Sequence, residues 1–156
     1  MSLDKDAHTQ HISQKFNEEL ESVRTHMLEM GGLVERQVQE SINALVAADS
    51  GVAENVLEKD AAVNAMEMAI DDECVKILAR RPPAASDLRL VFAISKAITD
   101  LERVGDEAGK IAKQAIQLSE EGQAPKGYVE IRHIGELVTK MLRGSLDAFA
   151  RLDVDQ

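Results

Sequence analysis

Apolar residues in the first third of the chain fall at Ile12, Phe16, Leu20, Val23, Met27, Met30, Val34, Val38, Ile42 and Leu45. Steps of three or four keep such residues on one face of an α-helix, so the pattern predicts a first helix from about Gln10 to Asp49. Gly31-Gly32 inside it is able to kink the helix, yet the stripe keeps its phase across the pair. Asp49-Ser50-Gly51 then breaks the pattern with turn-forming residues. A second stripe follows through Val52, Val56, Leu57, Val63, Met66, Ile70, Val75, Ile77 and Leu78. Arg81-Pro82-Pro83 ends that helix, because proline lacks a donor and disfavours helical geometry at the residue before it. Ser86 is the expected N-cap of a third helix, with Asp87 placed at the positive end of its dipole. The third stripe is Leu90, Val91, Ile94, Ala97, Ile98, Leu101, Val104, Ala108, Ile111, Ala115 and Ile116, fading at Glu121-Gly122 before Pro125 and Gly127. Three helices of about 30 to 40 residues each reach about 45 to 60 Å. Their short connections make them antiparallel neighbours in a long bundle.

A fourth segment, from about Tyr128 to Ala150, repeats the first. At an offset of 104 positions Leu33-Val34 falls on Leu137-Val138, Ser41 on Ser145, Ala44 on Ala148 and Asp49 on Asp153. Conservative matches fill the gaps: Arg36 with Lys140, Val38 with Leu142, Ile42 with Leu146, Asn43 with Asp147 and Leu45 with Phe149. Amphipathic helices also resemble one another by chance, since the heptad is degenerate. Read as a repeat, the chain holds a three-helix unit over residues 1–122, a linker over 123–127 and the first helix of an incomplete second unit over 128–156. Such a fourth helix exposes an apolar face, from which self-association into a homo-oligomer is expected.

Composition agrees with an all-α fold. Of 156 residues 44% are apolar, enough for a core, while aromatic residues make up only 3% and Trp is missing. A formal net charge of −10 repels a phosphate backbone and argues against binding to DNA or RNA. Cys74 is the single cysteine and has no partner for an internal disulfide. Neither a signal peptide nor an apolar run of spanning length is seen, so a cytoplasmic location is expected.

The third helix carries Asp100-Leu101-Glu102-Arg103-Val104-Gly105-Asp106-Glu107. Glu102 and Asp106, four apart, are neighbours on one helical edge, where like charges repel unless a cation or a basic side chain compensates. Glu67 and Asp71 repeat that spacing on the second helix. If the two helices meet antiparallel at this level, four carboxylates form an all-oxygen site suited to Mg²⁺, Ca²⁺, Mn²⁺ or iron. The competing reading is a solvated face with local ion pairs, Asp106 with Lys110 for example, in a chain of 28 acids. Glu130 and His133 make one Glu-x-x-His, whereas a carboxylate-bridged di-iron enzyme needs two of these. That enzyme class is therefore the weaker alternative. His8, His11 and His26 have no ligand spacing and read as solvent-facing, Cys74 as a core residue, and Met27, Met30, Met66, Met68 and Met141 as core filler.

The segment from Ala79 to Ala112, with its diproline turn, Asp87-Leu88-Arg89 and Leu101-Glu102-Arg103-Val104-Gly105-Asp106, resembles the signature region of the PhoU family. The stretches beginning at Phe16 and Met66 resemble that family's first and second helices, so the likeness runs in order over nearly the whole chain. The resemblance implies tandem three-helix units, each with an acid-x-x-x-Asp motif that binds metal in some members; here the motif falls on Glu102 and Asp106, facing Glu67 and Asp71. It also implies a non-enzymatic negative regulator of the phosphate regulon, peripheral to the inner membrane at most. The implied partners are the phosphate ABC-transporter ATPase and the phosphate sensor histidine kinase, with Mg, Mn or Fe bound but not obligatory. Length is the departure, because the second unit and its metal motif are not complete in this chain.

Overall fold

The structure, a computed structural model, describes the backbone of residues 3–80, 82–122 and 128–151, and side chains from residue 13 onward within them. The expected linker over 123–127 and the side chains of His8 and His11 lie outside the described residues. Four helices follow in order: α1 (Leu3–Ala47), α2 (Ser50–Arg80), α3 (Ala85–Glu120) and α4 (Val129–Arg151). The described residues are thus all-α, and none of their helices is long and apolar enough to cross a membrane.

The α1–α2 turn is two residues long. Ala48 takes a left-handed backbone at φ 52°, which turns the chain and lets the Asp49 amide donate to the Ala44 carbonyl at 2.9 Å. Asp49 then caps α2, its Oδ1 accepting from the Val52 amide at 3.1 Å. The α2–α3 turn differs from the sequence expectation. The helix starts at Ala85, and Ala84 occupies the cap position in extended backbone with no side-chain bond, so Ser86 sits inside the first turn. Two prolines already stop α2 and fix the turn, which leaves no need for a hydroxyl cap. α1 runs unbroken across Gly31-Gly32.

α1, α2 and α3 pack on one another around Val23, Met27, Met30, Val34, Val63, Ile70, Ile94 and Ile98, all buried. Each such side chain contributes about 1.5–3 kcal/mol on burial. Toward the α1–α2 turn the core narrows to Ala44, Ala53, Val56, Ala112 and Ala115, small residues that let three helices converge. Cys74 lies in the core as expected, but Met68 and Met141 are exposed and fill nothing.

α4 packs on α1 alone among helix backbones, with Leu142, Leu146 and Phe149 reaching the core. Glycine permits the close approach. A Cβ at Gly135 would stand 2.9 Å from Ile42 Cγ2, and one at Gly31 would stand 2.9 Å from Leu146 Cδ1. Arg143 of α4 donates to Glu35 of α1 across the same contact. The outward side of α4 leaves Val129, Ile134, Leu137, Val138 and Met141 exposed, the apolar face expected of that segment.

Candidate functional site

Antiparallel packing of α2 on α3 sets the register of the acidic residues. Glu102 is half-buried at the seam, and its carboxyl is pushed above the ordinary carboxylate range. Burial is the first cause, followed by the charge of Asp106 and a hydrogen bond with it, then by the charges of Glu67 and Asp60. Asp106 on its own helix, and Glu67 and Asp60 across the helix pair, therefore all act on Glu102. Asp71 stands one turn along α2 from Glu67, where the Ser95 hydroxyl donates to its Oδ1 at 3.5 Å. As the side chains stand, no three His, Cys, Asp or Glu among the described residues form a ready metal cluster.

Asp60 is a member that the sequence reading missed. It precedes Glu67 by seven residues, two helical turns, which puts both on the α3-facing edge. A second omission lies on α1. Gln37 is fully buried, and its Oε1 would be 3.0 Å from a Cβ at Gly105, with Asp60 Oδ1 at 3.9 Å from the same point. Gly105, between Glu102 and Asp106, is what opens this space. Gln37 Nε2 donates weakly to the Val56 carbonyl at 3.5 Å, while Gln37 Oε1 and Asp60 Oδ1 are both buried with no hydrogen-bond partner among the described residues. An orphaned buried acceptor costs about 1–3 kcal/mol. Two of them lie beside the edge that carries three further carboxylates, a concentration of oxygen ligands in which Gln37 Oε1 and Asp60 Oδ1 have no hydrogen-bond donor among the described residues.

Basic side chains do not fill that role. Lys110 donates to Glu107 at 2.6 Å, Arg103 pairs with Asp100 at 3.6 Å and Lys76 pairs with Asp72. The lysine ammonium is stabilised first by Glu107, and Asp106 enters only as the last contribution. Among the described residues no ion pair reaches Glu67, Asp71, Glu102 or Asp106. The donor set suits a hard cation, since carboxylate and amide oxygens are the ligands that Mg²⁺, Ca²⁺ and Mn²⁺ take.

The other candidates are structural. His26 Nδ1 meets Glu73 at 2.8 Å and ties α1 to α2, so this histidine is engaged where the sequence suggested open solvent. Burial, then the charges of Asp71 and Glu73, push the Cys74 thiol up to about 11, the opposite of an activated nucleophile. Glu130 and His133 are exposed on the first turns of α4.

Comparison with known proteins places the fold. A family profile described as the PhoU domain matches residues 27–115, which span the α1 core, all of α2 and α3 through Ala115. A protein of Pseudomonas aeruginosa described as a phosphate-specific transport system accessory protein PhoU homolog is 63% identical over 153 residues. That alignment covers 98% of this chain and 63% of the relative, so the chain spans under two thirds of the relative's length. The crystal structure of PhoU from Pseudomonas aeruginosa superposes with a TM-score of 0.86 at 64% identity, covering 90% of this chain and 67% of that one. The phosphate transport system regulatory protein PhoU from Streptococcus pneumoniae gives 0.79 at 34% identity, covering 86% and 63%.

Proposed function

This chain belongs to the PhoU family, and from that premise we propose that it serves as a regulatory adaptor of phosphate uptake and phosphate-responsive signalling. Its work is to bind protein partners, without turnover of its own. The phosphate transporter's ATPase and the phosphate sensor kinase are the partner classes, taken from the family resemblance. The supporting observation is the α2/α3 groove: Glu102 feels the charges of Asp106, Glu67 and Asp60, and two buried oxygen acceptors beside it have no hydrogen-bond partner among the described residues.

Glu67, Glu102 and Asp106 are the side chains that would hold a divalent cation there after their side chains turn toward one another, with Asp60 and Gln37 supplying the inner wall. A bound cation supplies positive charge that cancels their repulsion and fixes the acidic face. Gly105 keeps α3 close enough to α1 and α2 for Gln37 to reach the pocket. Binding to the folded chain alone stabilises it by mass action.

The adaptor reading is tested by expressing the chain, alone and extended to the length of its relatives, in cells lacking their own PhoU and carrying a phosphate-starvation reporter. The extended chain is expected to restore repression in high phosphate and to retain transporter ATPase or sensor kinase on purification. Loss of both effects in the extended chain contradicts the reading, as does phosphatase or oxidase turnover with Mn²⁺ or Fe²⁺.

A further inference from the structure

We propose that Gln37 Oε1 is a direct ligand of the cation held between α2 and α3, so that the site joins three helices and a bound ion clamps α1 to the other two. The proposal rests on the cation reading of the groove and names the residue through which the ion takes hold of α1. Acids alone do not make a metal site, and the observation that adds to them is a neutral side chain. Gln37 is 0% exposed, a position where polar atoms are nearly always hydrogen-bonded. Its Nε2 donates to the Val56 carbonyl at 3.5 Å, which leaves Oε1 without a hydrogen-bond partner among the described residues. Turning the amide over does not cure this, because it sets Oε1 against the Val56 carbonyl, acceptor against acceptor.

What Oε1 faces is the acid-bearing edge. A Cβ at Gly105, which lies between Glu102 and Asp106 on α3, would stand 3.0 Å from Gln37 Oε1 and 3.9 Å from Asp60 Oδ1. Oxygens from α1 and α2 thus converge on the bare backbone of α3. Asp60 Oδ1 is itself buried without a hydrogen-bond partner among the described residues. A carboxylate oxygen and an amide oxygen cannot satisfy each other, so whatever serves both brings donor hydrogens or positive charge. The nearest basic side chains are committed elsewhere: Lys59, next to Asp60 on α2, reaches Glu40 of α1 at 2.9 Å, and Lys110 reaches Glu107 at 2.6 Å. A water supplies hydrogens but leaves the charges of Asp106, Glu67 and Asp60 around Glu102 uncompensated, whereas a divalent ion meets both needs. An amide oxygen is a hard, uncharged ligand of the kind that Mg²⁺, Ca²⁺ and Mn²⁺ accept beside carboxylates.

The test titrates Mn²⁺ into the EDTA-treated, dialysed chain and follows Tm and amide exchange in EDTA and in Mn²⁺, with every variant checked for native helicity. Gln37→Met keeps the length of the side chain, and its thioether is a poor ligand for Mn²⁺. It is expected to weaken Mn²⁺ binding by about tenfold or more and to keep or raise Tm in EDTA, since an unsatisfied buried acceptor is gone. Gly105→Ala leaves every oxygen ligand in the chain yet drives a Cβ against Gln37 Oε1. It is expected to weaken binding when Gln37 is present and to add little in the Gln37→Met background. Mn²⁺ should slow exchange of the α1 amides around Gln37 in wild type and not in Gln37→Met. Binding unchanged by Gln37→Met, while Glu102→Ala with Asp106→Ala abolishes it, overturns the α1 ligand and leaves the cation reading standing. No Mn²⁺ binding by wild type overturns both. A Gln37→Met effect on Tm of equal size in EDTA and in Mn²⁺ assigns Oε1 to a buried water and also overturns the proposal.

Discussion

Gly135 of α4 lies against Ile42 of α1, and the same contact recurs with the helices exchanged, Gly31 of α1 lying against Leu146 of α4. Both pairs obey the 104-residue offset found in the sequence, since Gly31 maps to Gly135 and Ile42 to Leu146. The α1–α4 contact therefore has a two-fold pattern, with glycine on each helix receiving a branched side chain of the other. Gly135→Val is expected to loosen α4 by about 1–3 kcal/mol through overpacking. Faster amide exchange confined to α4 checks this. Adding Ile42→Ala should recover part of the loss, and a purely additive double-mutant cycle would show that the two residues do not meet.

Ala48 holds a left-handed backbone at φ 52°. A residue with a Cβ pays about 1–2 kcal/mol there, and the greater unfolded-state freedom of glycine offsets part of any gain. Ala48→Gly is expected to stabilise the chain by about 0.5–1 kcal/mol in urea denaturation.

Glu102 carries a raised pKa because it is half-buried at the helix seam and faces Asp106, Glu67 and Asp60. The folded chain thus holds the Glu102 proton more tightly than the unfolded chain, whose glutamate titrates near about 4.3. The stabilisation is complete below that value and is lost as pH rises through the folded pKa. Glu102→Gln stays neutral throughout. In EDTA its melting temperature should match wild type at low pH and exceed it at neutral pH. With Mn²⁺ the order at neutral pH should reverse, because the variant has lost a carboxylate donor. Parallel pH profiles for the two proteins would exclude the repulsion.

Cys74 is buried, with its thiol held up to about 11. Alkylation of the folded protein at mildly alkaline pH is expected to be far slower than for the same cysteine in urea. Equal rates would place the thiol at the surface.

Helix number and the breaks between helices were legible because the apolar stripes are long and the breaks strong, as at Asp49-Ser50-Gly51 and at Pro82-Pro83, whereas α1 begins at Leu3, seven residues before the expected Gln10, where no apolar stripe marks it. Less legible was which stripe faces what. α1 has two contact sides, and Ile42, read as part of one continuous face, turns toward Gly135 of α4 while Gln37 occupies a buried position toward α2 and α3. A polar residue at a core position leaves no mark in an apolar pattern, so Gln37 could not have been found that way. Asp60 could have been, from its spacing of seven to Glu67. The acid pair of α3 and Glu67 came directly from i and i+4 spacing, whereas the placement of Asp71 beside Ser95 depends on the register of α2 against α3, which only packing decides.

Calorimetric titration of Mn²⁺ or Mg²⁺ into the EDTA-treated, dialysed chain bears most directly on the pocket shared by α2 and α3. Saturable binding is expected for wild type and its loss for Glu102→Ala with Asp106→Ala, accompanied by loss of the cation-dependent rise in melting temperature. Equal binding in both proteins, or none in wild type, would contradict a cation held between these helices.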